Sequence, residues 1–429
     1  SIDIFSSTIS KLLTLGLIFL TWVLLYYIFR YEDSQKIIKN SFFVSLIFFS
    51  TSLVDFIFLK LGSSEAAYES SFKLLKRNGS PVEINFDPEL ELPNIIYIVP
   101  DRYGGIDQLK NYLGYDNSDF LSALEDRGFV IGKDSRSNYP TTYASILSTL
   151  NSSYIKESSD IKKKKDLAYP AITNSYAYDN LYKLGYKLYN VNNWWEGTRF
   201  MLNEEFNFFN EYVRDNQNTL SYYVNNKTPF GGILRRFSEL LLQKQSDFLA
   251  DIHKGCEIQK NQFNKLMELA QNQNNGLFVF AHFMVPHDPF LLNASGNCNP
   301  VSMHDAGPDL EANKERYIGA MEFFNIQILN IFDAMKQTNK NFIFVIQSDE
   351  GPYPCRYTEP CVYNFDLKTS NINAFYASNK LEINENDLKT PINNFIYIYK
   401  YLLDSDVQTL EHIVHKYKTN EISTTLYEN

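Results

Sequence analysis

The stretch Asn341–Pro354, NFIFVIQSDEGPYP, contains an apolar run that ends in an acidic pair. Its apolar, β-branched run Phe342–Ile346 predicts a strand that is buried on both faces of a sheet. The run is followed by two adjacent carboxylates, Asp349 and Glu350, and then by glycine and proline. In an open α/β sheet, ligands bind at the carboxyl ends of such strands. The acidic pair therefore indicates either a solvated loop or a cation site.

A second stretch repeats this design earlier in the chain. Pro93–Gly105, PNIIYIVPDRYGG, contains the apolar strand Ile95–Val99, which leads to Asp101 and then to glycines. Two parallel strands that deliver carboxylates to one edge of a sheet make a suitable site for a divalent cation. The repeated pattern therefore favours a metal site over a solvated loop.

Alternating strand and helix signals continue from residue 93 onward. They predict an α/β domain with a mostly parallel sheet and helices on both faces. We assign this domain to residues 93–405, with a helical insertion or cap over residues 200–272 and a C-terminal tail over residues 406–429. Further strands are predicted at Tyr186–Val191, Leu277–Phe283 and Ile372–Tyr376.

The N-terminal part of the chain has the composition of a membrane anchor. Leu12–Phe29 contains no charged residue, and Ser41–Leu59 is a second, weaker apolar stretch. Their lengths predict two transmembrane helices within residues 1–62, followed by a linker over residues 63–92. The loop between the two stretches contains arginine and lysine, so the positive-inside tendency places it in the cytoplasm. We therefore expect a cell-membrane protein whose domain from residue 93 onward is extracytoplasmic.

Composition and charge argue against nucleic acid as a partner. Hydrophobic residues make up 44% of the 429 residues, enough for a sizeable core, and the formal net charge is −10. No basic patch large enough to follow a phosphate backbone is present in the sequence.

The four cysteines, Cys256, Cys298, Cys355 and Cys361, form no CxxC zinc pair. Cys355 and Cys361 are close enough in sequence to bridge. An even number in an exported domain permits two disulfides, and their connectivity stays open at this stage.

A turn and a helix start follow one another at Asn138–Ser145, NYPTTYAS. Pro140 disfavours helix in the residues before it, and threonine is well suited to begin a helix. One interpretation is therefore an ordinary helix cap. The functional interpretation is a nucleophilic threonine hydroxyl at the positive end of a helix dipole. That role requires a metal, because a free threonine hydroxyl is too weak an acid to ionise near neutral pH.

His287 follows the strand Leu277–Phe283 and lies between Pro286 and Pro289. The prolines predict a rigid loop at the sheet edge, so a ligand-binding role is as well supported as a structural one. His282 lies inside the strand, where a hydrogen-bonded core histidine explains it equally well.

The order of these motifs resembles the sulfatase-like branch of the alkaline phosphatase superfamily. It is similar in particular to membrane-anchored hydrolases and transferases related to lipoteichoic acid synthases and lipid A phosphoethanolamine transferases. The resemblance covers about residues 93–400 and implies an α/β domain whose divalent metal activates a Thr, Ser or formylglycine nucleophile. It depends on four features, namely Asp101 after its strand, Asn138–Ser145, PHDPF at Pro286–Phe290 and QSDEGP at Gln347–Pro352.

Carried over residue by residue, the resemblance implies that Thr142 is the nucleophile. Family nucleophiles have a serine three positions further on, and here that residue is Ser145; Thr141 is the alternative nucleophile. The implied metal ligands are Asp101, Thr142, Asp349 and Glu350. The implied substrate-binding residues are His287, Thr141 and Ser145.

Three departures from the family pattern shape the expected chemistry. The nucleophile position holds no cysteine, so a formylglycine sulfatase mechanism is unsupported. Glu350 stands where histidine is commoner, and an oxygen ligand there favours Mn²⁺, Mg²⁺ or Ca²⁺ over Zn²⁺. Arg102 follows Asp101 in place of a second acid, which argues against a full two-metal site.

The expected function is that of a membrane-anchored, metal-dependent phosphotransferase or phosphohydrolase. Its substrates would be phosphate esters or phosphodiesters of cell-envelope glycans or lipids, and its cofactor a divalent ion (Mn, Mg, Ca or Zn). Two alternatives stay open. One is a sulfuric ester hydrolase that uses the same site, and the other is a non-catalytic envelope protein that keeps the fold for binding or assembly.

Overall fold

Strand β1, Asn94–Pro100, is buried along its whole length, because both faces of the sheet are covered. Its side chains alternate between two hydrophobic clusters, as the twofold period of a strand requires. Ile96 and Ile98 belong to one cluster, and Ile95, Tyr97 and Val99 belong to the other. No polar face is left for solvent, so the continuous apolar run folds as the central strand that the sequence predicts.

The main sheet contains β1 and five further strands in the order β2-β6-β5-β1-β4-β3. Strands β3, β4, β1 and β5 are parallel, whereas β6 is antiparallel to both of its neighbours. The α/β class is therefore confirmed, and the sheet is mixed. The further strands are β2 (Val130–Ile131), β3 (Lys187–Val191), β4 (Leu277–Phe283), β5 (Phe342–Gln347) and β6 (Asn373–Ala377).

Helices cover the two faces. In chain order they are α1 (Ile106–Leu113), α2 (Ser118–Asp126), α3 (Thr142–Asn151), α4 (Tyr176–Lys183), α5 (Glu196–Arg199), α6 (Lys244–Ala270), α7 (Leu310–Thr338), α8 (Phe365–Thr369) and α9 (Asn394–Leu403). Side chains of α1, α2, α6 and α7 join the cluster that contains Ile96. Side chains of α3, α4 and α9 join the cluster on the opposite face. Short 3₁₀ turns, Asp387–Lys389 and Pro391–Asn393, precede α9.

Strand register brings the ends of β1, β4 and β5 to one edge of the sheet. Ile98 of β1 pairs with Ala281 on one side and with Ile346 on the other. Beyond the strand, the backbone N–H of Asp101 donates to Phe283 O at 2.8 Å. The residues that follow these strands therefore meet at a single edge, as the sequence predicts for parallel neighbours.

The computed structural model of the protein describes residues 74–77, 80–84, 89, 91–156, 168–169, 171–191, 193, 195–199, 244–272, 275–299, 309–339, 341–353, 364–379, 381–403, 406–418 and 421–426. The apolar stretches Leu12–Phe29 and Ser41–Leu59 lie outside these residues, as does the first part of the insertion expected at 200–272. None of the helices within the described ranges is both long enough and apolar enough to span a membrane.

The C-terminal residues, assigned from sequence to a tail, contain an antiparallel hairpin. Its strands are β7 (Ile413–Lys418) and β8 (Glu421–Leu426), and they form a two-stranded sheet of their own. This hairpin follows α9 and contacts the turn before α3, the helix that begins with Thr142.

A disulfide joins Cys256 of α6 to Cys298 in the loop that follows β4. The pairing selects one of the connectivities that the sequence leaves open. Cys355 and Cys361 lie outside the described residues. The bridge ties the long helix α6 to the loop segment that also carries His287.

Candidate active site and metal centre

Three metal-ligating side chains meet where β1, β4 and β5 end. Asp101 follows β1, His282 lies near the end of β4, and Asp349 follows β5. One potential ligand atom from each lies within 4.8 Å of the others, and all three residues are buried. Carboxylate oxygens and imidazole nitrogen are ligands that divalent metals use in proteins.

The polar atoms of this cluster lack ordinary protein partners. Asp101 Oδ1, His282 Nε2 and Asp349 Oδ2 are buried without a hydrogen-bond partner in the described part of the chain. Buried polar groups are almost always paired, so the unpartnered atoms of these three neighbouring residues need an explanation. A bound cation supplies it, and the residues present therefore fit a divalent metal.

The pKa values of the two carboxyl groups lead to the same conclusion. Burial and the nearby charges of Asp101 and Glu350 raise the pKa of Asp349 well above its usual range. Burial would also raise the pKa of Asp101, but His287, His282 and Arg102 lower it below its usual value. Two neighbouring buried carboxyl groups are not both ionised unless positive charge lies between them. A divalent cation would allow both to ionise.

Neighbouring side chains orient the imidazole of His282. Its Nδ1 atom lies 3.1 Å from Thr198 Oγ1, and its ring meets the edge of Trp195 at a centroid distance of 5.5 Å. The other nitrogen, Nε2, lies 3.4 Å from Asp101 Oδ2. A contact such as that of Thr198 with Nδ1, the nitrogen that would not bind the metal, fixes the ring orientation of a metal-binding histidine.

Thr142 begins α3 and interacts with the metal-site carboxylate Asp349. A hydrogen-bonding interaction with the Thr142 side chain lowers the pKa of Asp349, against the larger effect of burial. Thr141 occupies the N-cap position, but its side chain makes no capping hydrogen bond. The hydroxyl of Thr142 therefore lies at a helix N-terminus, where the helix dipole favours negative charge.

Arg102 fixes the turn that carries Asp101. Its backbone has a φ of +64°, a left-handed conformation that is uncommon outside glycine. In this conformation its N–H donates to Asp349 Oδ1 at 3.1 Å. Tyr317 of α7 stabilises the turn, because its hydroxyl donates to Arg102 O at 2.8 Å and accepts from Gly104 N at 3.1 Å.

Glu350 pairs with cationic side chains. Its Oε1 atom accepts from Lys368 Nζ, and also from Arg102 Nε at 3.1 Å. Close approach of two backbone segments brings Lys368 near, since the N–H of Gly351 donates to Lys368 O at 2.8 Å. A Cβ atom at Gly351 would lie only 2.0 Å from Leu367 O, so a glycine is required there. These contacts occupy Oε1, whereas Oε2 is buried without a hydrogen-bond partner in the described part of the chain, so metal ligation by Glu350 stays a prediction.

The family model described as Sulfatase matches residues 93–391, well over half of the chain. The chain belongs to the sulfatase family. The matched range contains β1 to β6 and each member of the cluster, so the site described above lies within the family's domain. It is accordingly a member of the alkaline phosphatase superfamily, as the sequence motifs predict.

Solved structures similar to this sulfatase-family chain include a periplasmic domain and an integral membrane protein. The C-terminal periplasmic domain of EptC from Escherichia coli, in complex with Zn, is 15% identical, with a TM-score of 0.46 over 80% of this chain and 96% of that chain. The integral membrane lipooligosaccharide phosphoethanolamine transferase EptA from Neisseria meningitidis is 12% identical, with a TM-score of 0.42 over 87% of this chain and 69% of that chain.

A third similar structure is BT33494S-sulf of Bacteroides thetaiotaomicron, from work on the metabolism of multiple glycosaminoglycans. It is 12% identical, with a TM-score of 0.39 over 78% of this chain and 84% of that chain. No curated protein matches the sequence significantly.

His287 and Ser145 are two further residues that the family pattern implies, and their roles stay predictions. His287 is partly exposed, at 23%, and its charge lowers the pKa of Asp101, which places it near the metal carboxylates. Burial and Arg102 lower the pKa of His287 itself, while Asp101 and Asp288 oppose them. Its Nδ1 atom contacts Asp288 O. Ser145 lies on the first turn of α3 and is buried.

Sequence reasoning gave no site role to three residues that the structure brings to this centre: His282, Thr198 and Lys368. His282 had a usable signal, because it lies near the end of the strand that neighbours β1. Its pairing with Val99, two residues before Asp101, depends on register. Thr198 and Lys368 carry no local signal, since each reaches the site only through long-range packing.

Proposed function

We propose that this chain is a metal-dependent phosphotransferase or phosphohydrolase that acts on phosphate esters or phosphodiesters, with Thr142 as its nucleophile. One observation carries the proposal: Thr142 begins α3 beside Asp349, within reach of the buried Asp101–His282–Asp349 cluster. An ordinary helix cap does not explain why unpartnered ligand atoms lie next to this hydroxyl.

Asp101, His282 and Asp349 would hold the metal, together with Thr142. When bound, the metal supplies positive charge that favours ionisation of the threonine hydroxyl and offsets charge that develops on the phosphoryl oxygens. The imidazole nitrogen of His282 changes the metal preference that was inferred from Glu350. Two carboxylates with one imidazole suit Zn²⁺ or Mn²⁺, whereas Ca²⁺ and Mg²⁺ prefer oxygen ligands alone.

The residues of the chain divide the reaction into two displacements. In the first, Thr142 Oγ1 releases its proton to solvent and bonds to phosphorus, while the bond from phosphorus to the leaving oxygen breaks and that oxygen takes a proton from solvent. In the second, water or a sugar hydroxyl attacks phosphorus and loses its own proton. The bond to Oγ1 then breaks, and Thr142 recovers a proton. Formation of a covalent intermediate in this way divides one difficult step into two easier ones.

Charged side chains around Thr142 suit an anionic substrate. Arg102 is fixed between Asp288 and Glu350, and Lys368 lies against Glu350. His287 is partly exposed near Asp101, in a position where it can contact an anionic group. Ser145 and Thr141 would support the same turn. These residues would orient the substrate while Thr142 reacts.

The proposed location is the outer side of a cell membrane, with the apolar stretches Leu12–Phe29 and Ser41–Leu59 as the anchor. The Cys256–Cys298 disulfide supports an oxidising, extracytoplasmic compartment. An anchored enzyme there would meet lipid-linked donors or envelope glycans, and these are the substrates that we propose.

Turnover assays on the full chain test the proposal. We expect metal-dependent hydrolysis of bis(p-nitrophenyl) phosphate that a chelator removes, that Thr142→Ala abolishes and that Thr141→Ala lowers only in part. Turnover of p-nitrophenyl sulfate alone would establish the alternative of a sulfuric ester hydrolase. A folded chain that holds no metal and turns over neither ester would instead indicate a non-catalytic envelope protein.

A further inference from the structure

The segment Leu410–Lys416, which leads into the C-terminal hairpin, lies beyond the part of the chain that matches the sulfatase family, residues 93–391. It nevertheless binds the turn that precedes the proposed nucleophile. The backbone N–H of His415 donates to Asn138 O at 2.9 Å, and Asn138 Nδ2 donates back to Ile413 O at 2.9 Å. These reciprocal bonds fix Asn138 against β7.

The ring of His415 extends this contact to the next residue. It stacks on Tyr139 with a centroid distance of 4.7 Å and an interplanar angle of 4°. Both residues are fully buried. Only Pro140 and Thr141 separate Tyr139 from Thr142, and the proline ring restricts the backbone between them.

The same segment holds the residues that follow α3. Tyr154 donates its hydroxyl to Glu411 O at 2.5 Å and accepts from Ile413 N at 3.2 Å. Tyr139 in turn accepts from the backbone of Ile155 at 2.8 Å. The helix that begins with Thr142 is therefore held at both ends by one C-terminal segment.

We propose that His415 is a positioning residue for Thr142: its ring fixes Tyr139, and Tyr139 fixes the turn that aims the threonine hydroxyl at Asp349. This inference rests on the proposed function of Thr142. A displacement of about 1 Å in a reacting group can lower a rate by about 100-fold. A contact that stiffens the turn next to the nucleophile should therefore act mainly on kcat.

Three variants of the full chain separate positioning from general stability. His415→Ala removes the stacked ring, and His415→Phe restores a flat ring. Val414→Ala is the matched control, because Val414 is also fully buried and neighbours His415 in the same strand. The first variant loses the contact with Tyr139, whereas the control removes buried volume at the adjacent position of the strand, whose side chain points to the opposite face.

The measurements are kcat and KM for bis(p-nitrophenyl) phosphate, bound metal, and hydrogen–deuterium exchange of the amides of residues 142–146. For His415→Ala we expect kcat to fall about 10- to 100-fold, with KM and metal content little changed and exchange of residues 142–146 accelerated. His415→Phe should recover kcat to within about threefold of the wild type. Val414→Ala should lower Tm while kcat and the exchange of residues 142–146 stay near wild-type values.

The outcomes distinguish this inference from the function on which it rests. If Thr142→Ala keeps activity, the proposed function fails. If Thr142→Ala is inactive but His415→Ala keeps full kcat, only the positioning role fails. Equal losses in His415→Ala and Val414→Ala, or no recovery in His415→Phe, would overturn it as well. Unchanged exchange of residues 142–146 in His415→Ala would also overturn it, whether or not the phosphodiester is turned over.

Discussion

His282 Nε2 lies 3.4 Å from Asp101 Oδ2, across two adjacent parallel strands and out of contact with solvent. The pair joins a nitrogen ligand to a carboxylate at the edge of the sheet where Asp349 also lies. The candidate site therefore offers a metal ion both a nitrogen ligand and oxygen ligands.

His282→Ala should remove most of the bound metal, because it deletes the only nitrogen ligand in the described cluster. Thr198→Val should be milder, since Thr198 orients the ring without binding metal; loss of such partners costs about 10- to 100-fold in affinity. His287→Ala is the control and should keep its metal. Titration of metal-depleted protein with Zn²⁺ and Mn²⁺ checks all three variants. Unchanged affinity in His282→Ala would exclude His282 from the site.

Glu350→Gln should destabilise the fold. Lys368 and Glu350 are both buried, at 8% and 4% exposure, so the change leaves a buried cation without its main partner. Removal of one partner of a buried ion pair costs about 3–5 kcal/mol. Urea unfolding measures this loss, and adding Lys368→Met to Glu350→Gln should restore part of it. Loss of metal at unchanged stability would place Glu350 among the ligands.

Tyr317→Phe should weaken metal binding as well as stability. Its hydroxyl holds the Arg102 turn, whose N–H orients Asp349. Two buried backbone groups would lose their partner, at a cost of about 1–3 kcal/mol. Tyr397→Phe is the matched control, because that hydroxyl also donates to an oxygen, on Asp387, and accepts from a backbone N–H, on Asn384.

Both tyrosine variants should lose stability by similar amounts, and only Tyr317→Phe should lose metal affinity. Chemical denaturation and metal titration of the two proteins make the comparison. An equal effect on metal affinity in both would show that it reflects general destabilisation.

His412 should make the fold less stable in mildly acidic solution. Burial, Arg136 and Lys389 lower the pKa of His412 from 6.5 to about 4. Between these values the unfolded chain takes up a proton that the folded chain does not, so stability falls as pH falls through this window and is unaffected above it.

His412→Gln should reduce that loss by about 1–3 kcal/mol, a figure that allows for partial exposure. Urea unfolding at about pH 7.5 and about pH 5 compares the variant with the wild type on either side of the ordinary histidine pKa. An identical pH dependence in the two proteins would contradict the assignment.

The sequence predicts the central strands well because their signal is local. Phe342–Ile346 and Ile95–Val99 are continuous apolar runs, and the structure extends each by only a residue or two. Placement of Asp101 and Asp349 at one edge then follows from parallel pairing. The mixed character of the sheet does not, since the direction of β6 depends on the connection that precedes it.

The surroundings of the carboxylates depend on contacts between distant parts of the chain. In the sequence Glu350 is a carboxylate that directly follows another, Asp349, and this pattern suggests a metal ligand. In the folded chain its carboxylate faces Lys368, eighteen residues later, and Arg102, far earlier. The contact of the C-terminal hairpin with Asn138 and Tyr139 is equally hard to predict from the sequence, because the residues of β7 resemble a polar tail.

Mass spectrometry of the wild-type chain detects directly whether Thr142 becomes covalently modified. The protein would be loaded with metal, mixed with bis(p-nitrophenyl) phosphate and quenched in acid during turnover. We expect a phosphoryl group or its p-nitrophenyl ester on Thr142, none on Thr141, and none on either residue in Thr142→Ala or after chelation. Turnover without any adduct on Thr142, retained in full by Thr142→Ala, would contradict a covalent role for Thr142.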